Sequence, residues 1–124
     1  MESRARAFSL RLDMARAHSG PAWAVALEAA AQMDVEAMDA LARGDTHRLA
    51  HELHQTMSTL LYLYPPVETT ERLREFGRSL RGRASLDERL FCEWEVCRGL
   101  LCEMRAFAQG WLAEEARQRR GARV

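Results

Sequence analysis

From Leu90 to Trp111 the residues Leu90, Trp94, Cys97, Leu101, Met104, Ala108 and Trp111 recur at alternating intervals of four and three. That spacing keeps one side of an α-helix apolar for three heptads, whereas a strand repeats its faces every second residue and cannot satisfy it. A helix cannot bury such a seam by itself, so the rest of the chain has to supply helices that cover it. The remaining sequence agrees. β-Branched residues are sparse, no stretch sustains a period of two, and 3.6-residue patterns fill most of the 124 positions. The expected fold is all-α, a four-helix bundle with an additional N-terminal helix, forming one domain over 1–124. A chain of this length buries roughly two-thirds of its unfolded surface, which is enough for a core. No apolar run approaches the roughly 20 residues that a membrane span requires.

The stop signals divide the chain. A first helix over about 3–17 places Ala5, Phe8, Leu12 and Ala15 on one side and ends at Ser19-Gly20-Pro21, where Pro21 suits the first turn of the next helix. The second, over about 21–43, is read as continuous, with Trp23, Leu27, Ala30, Ala31, Met38 and Leu41 inward and Gly44 as its C-cap. Asp34 falls near that stripe and is expected either at its edge or paired with an arginine across the bundle. Asp45 can cap a third helix over about 46–64, whose stripe of Leu49, Leu53, Met57, Leu60 and Tyr64 ends at Pro65-Pro66. A fourth over about 68–81 turns Leu73, Phe76 and Leu80 inward and ends near Gly82. Ser85-Leu86-Asp87-Glu88 has the spacing of a capping box and opens the last helix, expected to reach about 118. The basic tail over about 115–124 is expected to fray. Gly99 costs that helix about 1 kcal/mol relative to alanine unless it permits a close crossing or a bend.

Charge and chemistry narrow the function classes. Acidic and basic residues balance at 18 each, which argues against a protein built to grip a nucleic-acid backbone. Every basic residue is arginine, so lysine-based Schiff-base chemistry is excluded. Cys92, Cys97 and Cys102 stand five apart and turn about 140° from one to the next, so they cannot converge on one metal or build a disulfide framework. They are expected to be buried, reduced packing residues. The opening residues Met1 to Arg6 carry no apolar block of a secretory signal, and a cytoplasmic location is expected. No glycine-framed nucleophile turn or phosphate-cradling loop is present, so an autonomous enzyme is not expected, nor is a cofactor.

Three of the four histidines, His47, His51 and His54, are spaced i, i+4, i+7 and fall within roughly 60° of one another on a helix. His51 points on the order of 170° away from the leucine stripe, with Ser58 on the same outer side, so these rings should meet solvent or a partner. A solvated polar face is the plain reading. Two histidines at i, i+4 can also reach one divalent ion, but a further ligand would have to come from His18 or Glu52 through packing, and no metal is assigned. An exposed imidazole can equally accept a phosphoryl group from an aspartyl phosphate.

Ala50-His51-Glu52-Leu53-His54 resembles the Ala-His-x-Leu-Lys portion of the histidine phosphotransfer (HPt) domains, and Leu41-Ala42-Arg43-Gly44-Asp45 resembles the loop before their active helix. The resemblance covers about residues 35–64. It implies a phosphorelay carrier built as a helical bundle, with an exposed phosphohistidine in mid-helix, a nearby basic residue that holds the phosphate, and a small residue one turn on that lets a receiver domain approach. Gln55 stands at the family's glycine and His54 at its lysine. With His54 as the acceptor, Ser58 becomes the small residue one turn on, while Thr56 and Met57 occupy the leucine and lysine positions. Both His51 and His54 are therefore candidates.

Two other features bear on partners. Arg72, Arg74, Arg78, Arg81 and Arg83 crowd the fourth helix and its exit, most of them necessarily exposed, with Arg74, Arg78 and Arg81 the expected docking charges. Phe91, Leu100, Phe107 and Leu112 add apolar surface beside the seam of the last helix, more than one neighbour would usually cover. Trp94, Leu101 and Trp111 are accordingly candidate contacts for a partner, either a protein helix or a second copy of the chain. The competing function is therefore a non-enzymatic adaptor, export chaperone or anti-activator that covers an amphipathic helix or homodimerises through this last helix. The other outcome is that both stripes are covered within one bundle.

Overall fold

The computed structural model describes residues 12–122, and Ala5 and Phe8 of the expected first helix lie outside them. Among the described residues there are six α-helices and no strand, so the chain is an all-α bundle. The first, α1, is helical over 12–19 and buries Leu12 and Ala15. Gly20 takes φ +56, which an L side chain rarely adopts, and Pro21 then starts α2, Pro21–Ala31. The chain continues through α3 (Val35–Gly44), α4 (Thr46–Leu60), a 3-10 turn at Leu61–Leu63, α5 (Val67–Ser79) and α6 (Glu88–Ala122).

These helices occupy four corners. α6 contacts α2, α3 and α5, α4 contacts α2, α3 and α5, and α4 and α6 stand diagonally across the core. One corner is shared by α2 and α3, because the expected continuous second helix breaks at Gln32, Met33 and Asp34. The reason is local chemistry. Asp34 is exposed, accepts a hydrogen bond from the Ala37 backbone N–H at 2.9 Å and so caps a new helix, and it forms no ion pair across the bundle among the described residues. Asp45 performs the same service for α4, accepting from Arg48 N–H at 3.0 Å, while its own backbone N–H closes α3 on Leu41. Gly44 is thus the last helical residue, and one residue serves both helices.

Three further ends differ from expectation. α4 stops at Leu60, and Leu63 enters the core in place of Tyr64, which is exposed in a left-handed conformation (φ 52). The 3-10 turn rotates the chain before the two prolines, and that rotation exchanges the two side chains. Ser85 makes no capping bond. Asp87 instead accepts from Leu90 N–H at 2.8 Å and also pairs with Arg83 at 3.2 Å, so α6 begins one residue after it. α6 then runs to Ala122, beyond the expected 118.

The seam of α6 is the centre of the core. Leu90, Trp94, Cys97, Leu101, Met104 and Ala108 are all buried, and Trp111 is half-buried. Phe91, Leu100, Phe107 and Leu112 are half-buried as well, so this second stripe is largely covered inside one chain. Trp94 and Leu101, expected on a docking face, have 0% exposure and are consumed by the core. Among the cysteines only Cys97 is buried, its thiol pushed up to about 12 by burial, while Cys102 is half-buried and Cys92 exposed. The 140° step between them makes all three inward positions incompatible with one seam. A Cβ on Gly99 would meet nothing within 4 Å, so that glycine serves no close crossing. No helix among the described residues is long and apolar enough to cross a membrane.

Candidate functional site

α4 shows three sides to its surroundings. Leu49, Leu53, Met57 and Leu60 are buried. Toward α3, Arg48, Glu52, Gln55, Thr56 and Thr59 line one groove. Toward α5, His47, Ala50, His51 and His54 line another, and all three rings are exposed, as the wheel requires. Glu52 therefore faces the opposite groove and cannot join the histidines, and His18, on α1, is not part of the lining either. Among the described residues no three His, Cys, Asp or Glu side chains are grouped so as to hold a metal ion.

The groove between α4 and α5 has a volume of about 670 Å³. Its far wall carries Arg74, Gly77, Arg78, Arg81, Gly82 and Arg83, over a floor that includes Leu53, Met57, Leu73 and Leu80. No carboxylate is among the lining residues. Arg74, Arg78 and Arg81 repeat the i, i+4, i+7 spacing of the histidines in sequence; Arg74 and Arg78 stand on α5 and Arg81 in the turn just after its end, and all three line the same space as the histidines of α4. Two contacts set the register of this antiparallel pair. The Leu53 side chain lies 3.8 Å from where a Cβ on Gly77 would stand, and the buried Thr46 hydroxyl donates to the Arg83 carbonyl at 2.6 Å. His47 is thus level with Arg83, and His54 with the turn that separates Arg74 from Arg78.

Three of the four arginines that line the groove carry no ion pair among the described residues. Arg74, Arg78 and Arg81 form no ion pair with any carboxylate among the described residues, and Arg83 is held by Asp87. Guanidinium forks match the paired oxygens of a phosphate or carboxylate. The groove can therefore take an anionic group and bring it against an imidazole nitrogen.

Of the residues singled out from sequence, His51, His54, Arg74, Arg78 and Arg81 come together here. Ser58 is exposed but does not line the groove, and its hydroxyl donates to the His54 carbonyl at 3.0 Å. Trp111 lies elsewhere, edge-on to Trp23 and stacked on Phe107, each with ring centroids 6.3 Å apart. Sequence reasoning passed over His47, Gly77 and Arg83 as site residues. The matching spacing of the histidine and arginine rows was a signal that could have found the pairing, given that a short Pro-Pro link makes α4 and α5 antiparallel neighbours.

No protein-family model matches this chain, and no curated protein or solved structure does.

Proposed function

We propose that this bundle is a signalling protein that carries a phosphoryl group on an exposed histidine of the α4–α5 groove, taking it from a protein partner that bears an aspartyl phosphate. One observation carries the reading: three exposed histidines of α4 and three arginines, two on α5 and Arg81 in the turn after it, line one space; none of the three arginines forms an ion pair among the described residues, and no carboxylate is among the lining residues. A free imidazole nitrogen is a competent phosphoryl acceptor, and guanidinium groups alongside neutralise the charge that arrives with it. The local likeness of residues 35–64 to HPt domains points the same way, and such a partner would be a receiver domain. The chain then acts as a carrier between proteins rather than as an enzyme with its own substrate, which agrees with the absence of a nucleophile turn.

The adaptor reading rested on surplus apolar surface along α6, and Trp94 and Leu101 are used up in the bundle's own core. The carrier is tested by incubating the wild type, His51→Gln and His54→Gln with a phosphorylated receiver domain, followed by intact-mass measurement before and after acid treatment. The expected result is an acid-labile gain of one phosphoryl group in the wild type that one of the two variants loses. A wild type that gains nothing from any phosphorylated receiver domain ends the reading.

A further inference from the structure

We propose that His54, rather than His51, is the phosphoryl acceptor, and that Arg78 of α5, on the opposite wall of the groove, holds the phosphoryl oxygens. The assignment rests on the carrier reading for its biological donor, but its chemistry is set by the groove itself.

Three observations lead to it. First, Ala50 is half-buried and lines the groove, so it marks the direction in which α4 faces α5. At about 100° per residue, His54 lies about 40° from that direction, His47 about 60° and His51 about 100°, so His51 leans furthest toward open solvent. Second, the contact between Leu53 and Gly77 puts the His54 turn beside the Gly77 turn, with Arg78 its neighbour along α5 and Arg74 and Arg81 one turn to either side. Side chains on a helix lean toward its N-terminus, so on antiparallel helices His54 and Arg78 lean toward each other's level. Third, Arg78 is exposed and without an ion pair among the described residues, and no carboxylate lines the groove to compete for it. Histidine 54 has no basic residue one turn on along its own helix, where Met57 and Ser58 stand. A phosphoryl group on it would have to be held from α5.

The step can be examined with a small donor that needs no partner, phosphoramidate. The unprotonated ring nitrogen of His54 attacks phosphorus, a nitrogen–phosphorus bond forms to the ring, and the donor's own nitrogen–phosphorus bond breaks. Ammonia leaves with the bonding pair, and the ring's other nitrogen keeps its proton. Arg78 donates hydrogen bonds to the non-bridging oxygens throughout.

His18 supplies the internal reference, because it is exposed and lies on α1, outside the groove. The full chain is treated with phosphoramidate, and labelling of each histidine is followed by mass mapping. His54 is expected to be labelled about tenfold faster than His18, and Arg78→Gln to remove that advantage without altering His18, with Arg78→Lys restoring part of it. Helicity and melting temperature of the variants, unchanged from wild type, separate this from a folding defect. Equal labelling of His54 and His18, or an advantage that survives Arg78→Gln, overturns the assignment. Preferential labelling of His51 overturns it too, and leaves the carrier reading intact. Arg78-dependent labelling of His54 alongside no uptake from any phosphorylated receiver domain sustains the groove chemistry and ends the carrier reading.

Discussion

The two sides of this bundle treat arginine in opposite ways. Where α6 meets α3, every guanidinium is engaged. Arg105 forms a two-pronged pair with Glu36 at 2.8 and 3.0 Å and also reaches the Met33 carbonyl at 3.1 Å, closing the break between α2 and α3. Asp39 accepts the buried Trp94 indole N–H at 2.8 Å and faces Arg43 at 3.5 Å and Arg98 at 3.7 Å. Where α4 meets α5 and the turn after it, three arginines line a groove with three histidines, and none of those arginines pairs with a carboxylate among the described residues. The same residue type thus ties helices together on one side and stands uncommitted on the other. Like charges gathered along a groove stabilise nothing, so the α4–α5 side is where an external anion has a place.

Three measurements can break or sharpen this contrast. The largest effect should come from the committed side. Trp94 has no exposure, stacks on Phe76 with centroids 5.8 Å apart and donates to Asp39, so it joins α3, α5 and α6 at once. Trp94→Ala is expected to cost about 3–5 kcal/mol in chemical denaturation. A cost near zero would mean the core is not organised around that side chain.

A smaller effect concerns acid. The Arg105 guanidinium, by its hydrogen bonds, holds the Glu36 carboxyl down at about 2 against an ordinary 4.5, and the Trp94 indole similarly lowers that of Asp39. A carboxyl lowered in the folded state stabilises the fold above its unfolded value and loses that contribution as pH falls toward the folded value. Melting temperature should therefore decline from about pH 4.5 downward toward about 2, and Glu36→Gln should flatten part of that decline. An unchanged acid limb in Glu36→Gln would show that the ion pair contributes no stability.

The smallest effect on stability belongs to the groove. Arg74→Gln, Arg78→Gln and Arg81→Gln should each change the unfolding free energy by less than about 0.5 kcal/mol, because no internal partner is lost. The triple variant should melt like wild type while its phosphoryl uptake collapses. A marked loss of stability would place these arginines with those of the α3–α6 side.

The helical class, the α6 seam and the outward histidines were all legible, because each is a property of one helix and its 3.6-residue period. Asp45 as a cap was legible for the same reason. The division of α2 from α3 was not. Asp34 lies close to a periodic apolar stripe, and periodicity cannot distinguish a polar residue tolerated in a helix from one that ends and restarts it. The surplus apolar surface of α6 was visible in the pattern, but the coverage of Phe91, Phe107 and Leu112 required knowing how many helices surround it. Trp94 and Leu101 were named as partner contacts for that reason, although the seam already placed them inward.

Taken alone, then, the order of residues determined which elements form and which side of each is apolar, because backbone hydrogen bonding and side-chain periodicity act within a few turns. Only the tertiary structure decided which polar rows confront one another. The register of α4 against α5 follows from Leu53 meeting Gly77 and from the Thr46 hydroxyl bonding the Arg83 carbonyl, and those contacts are what bring His54 level with the turn before Arg78.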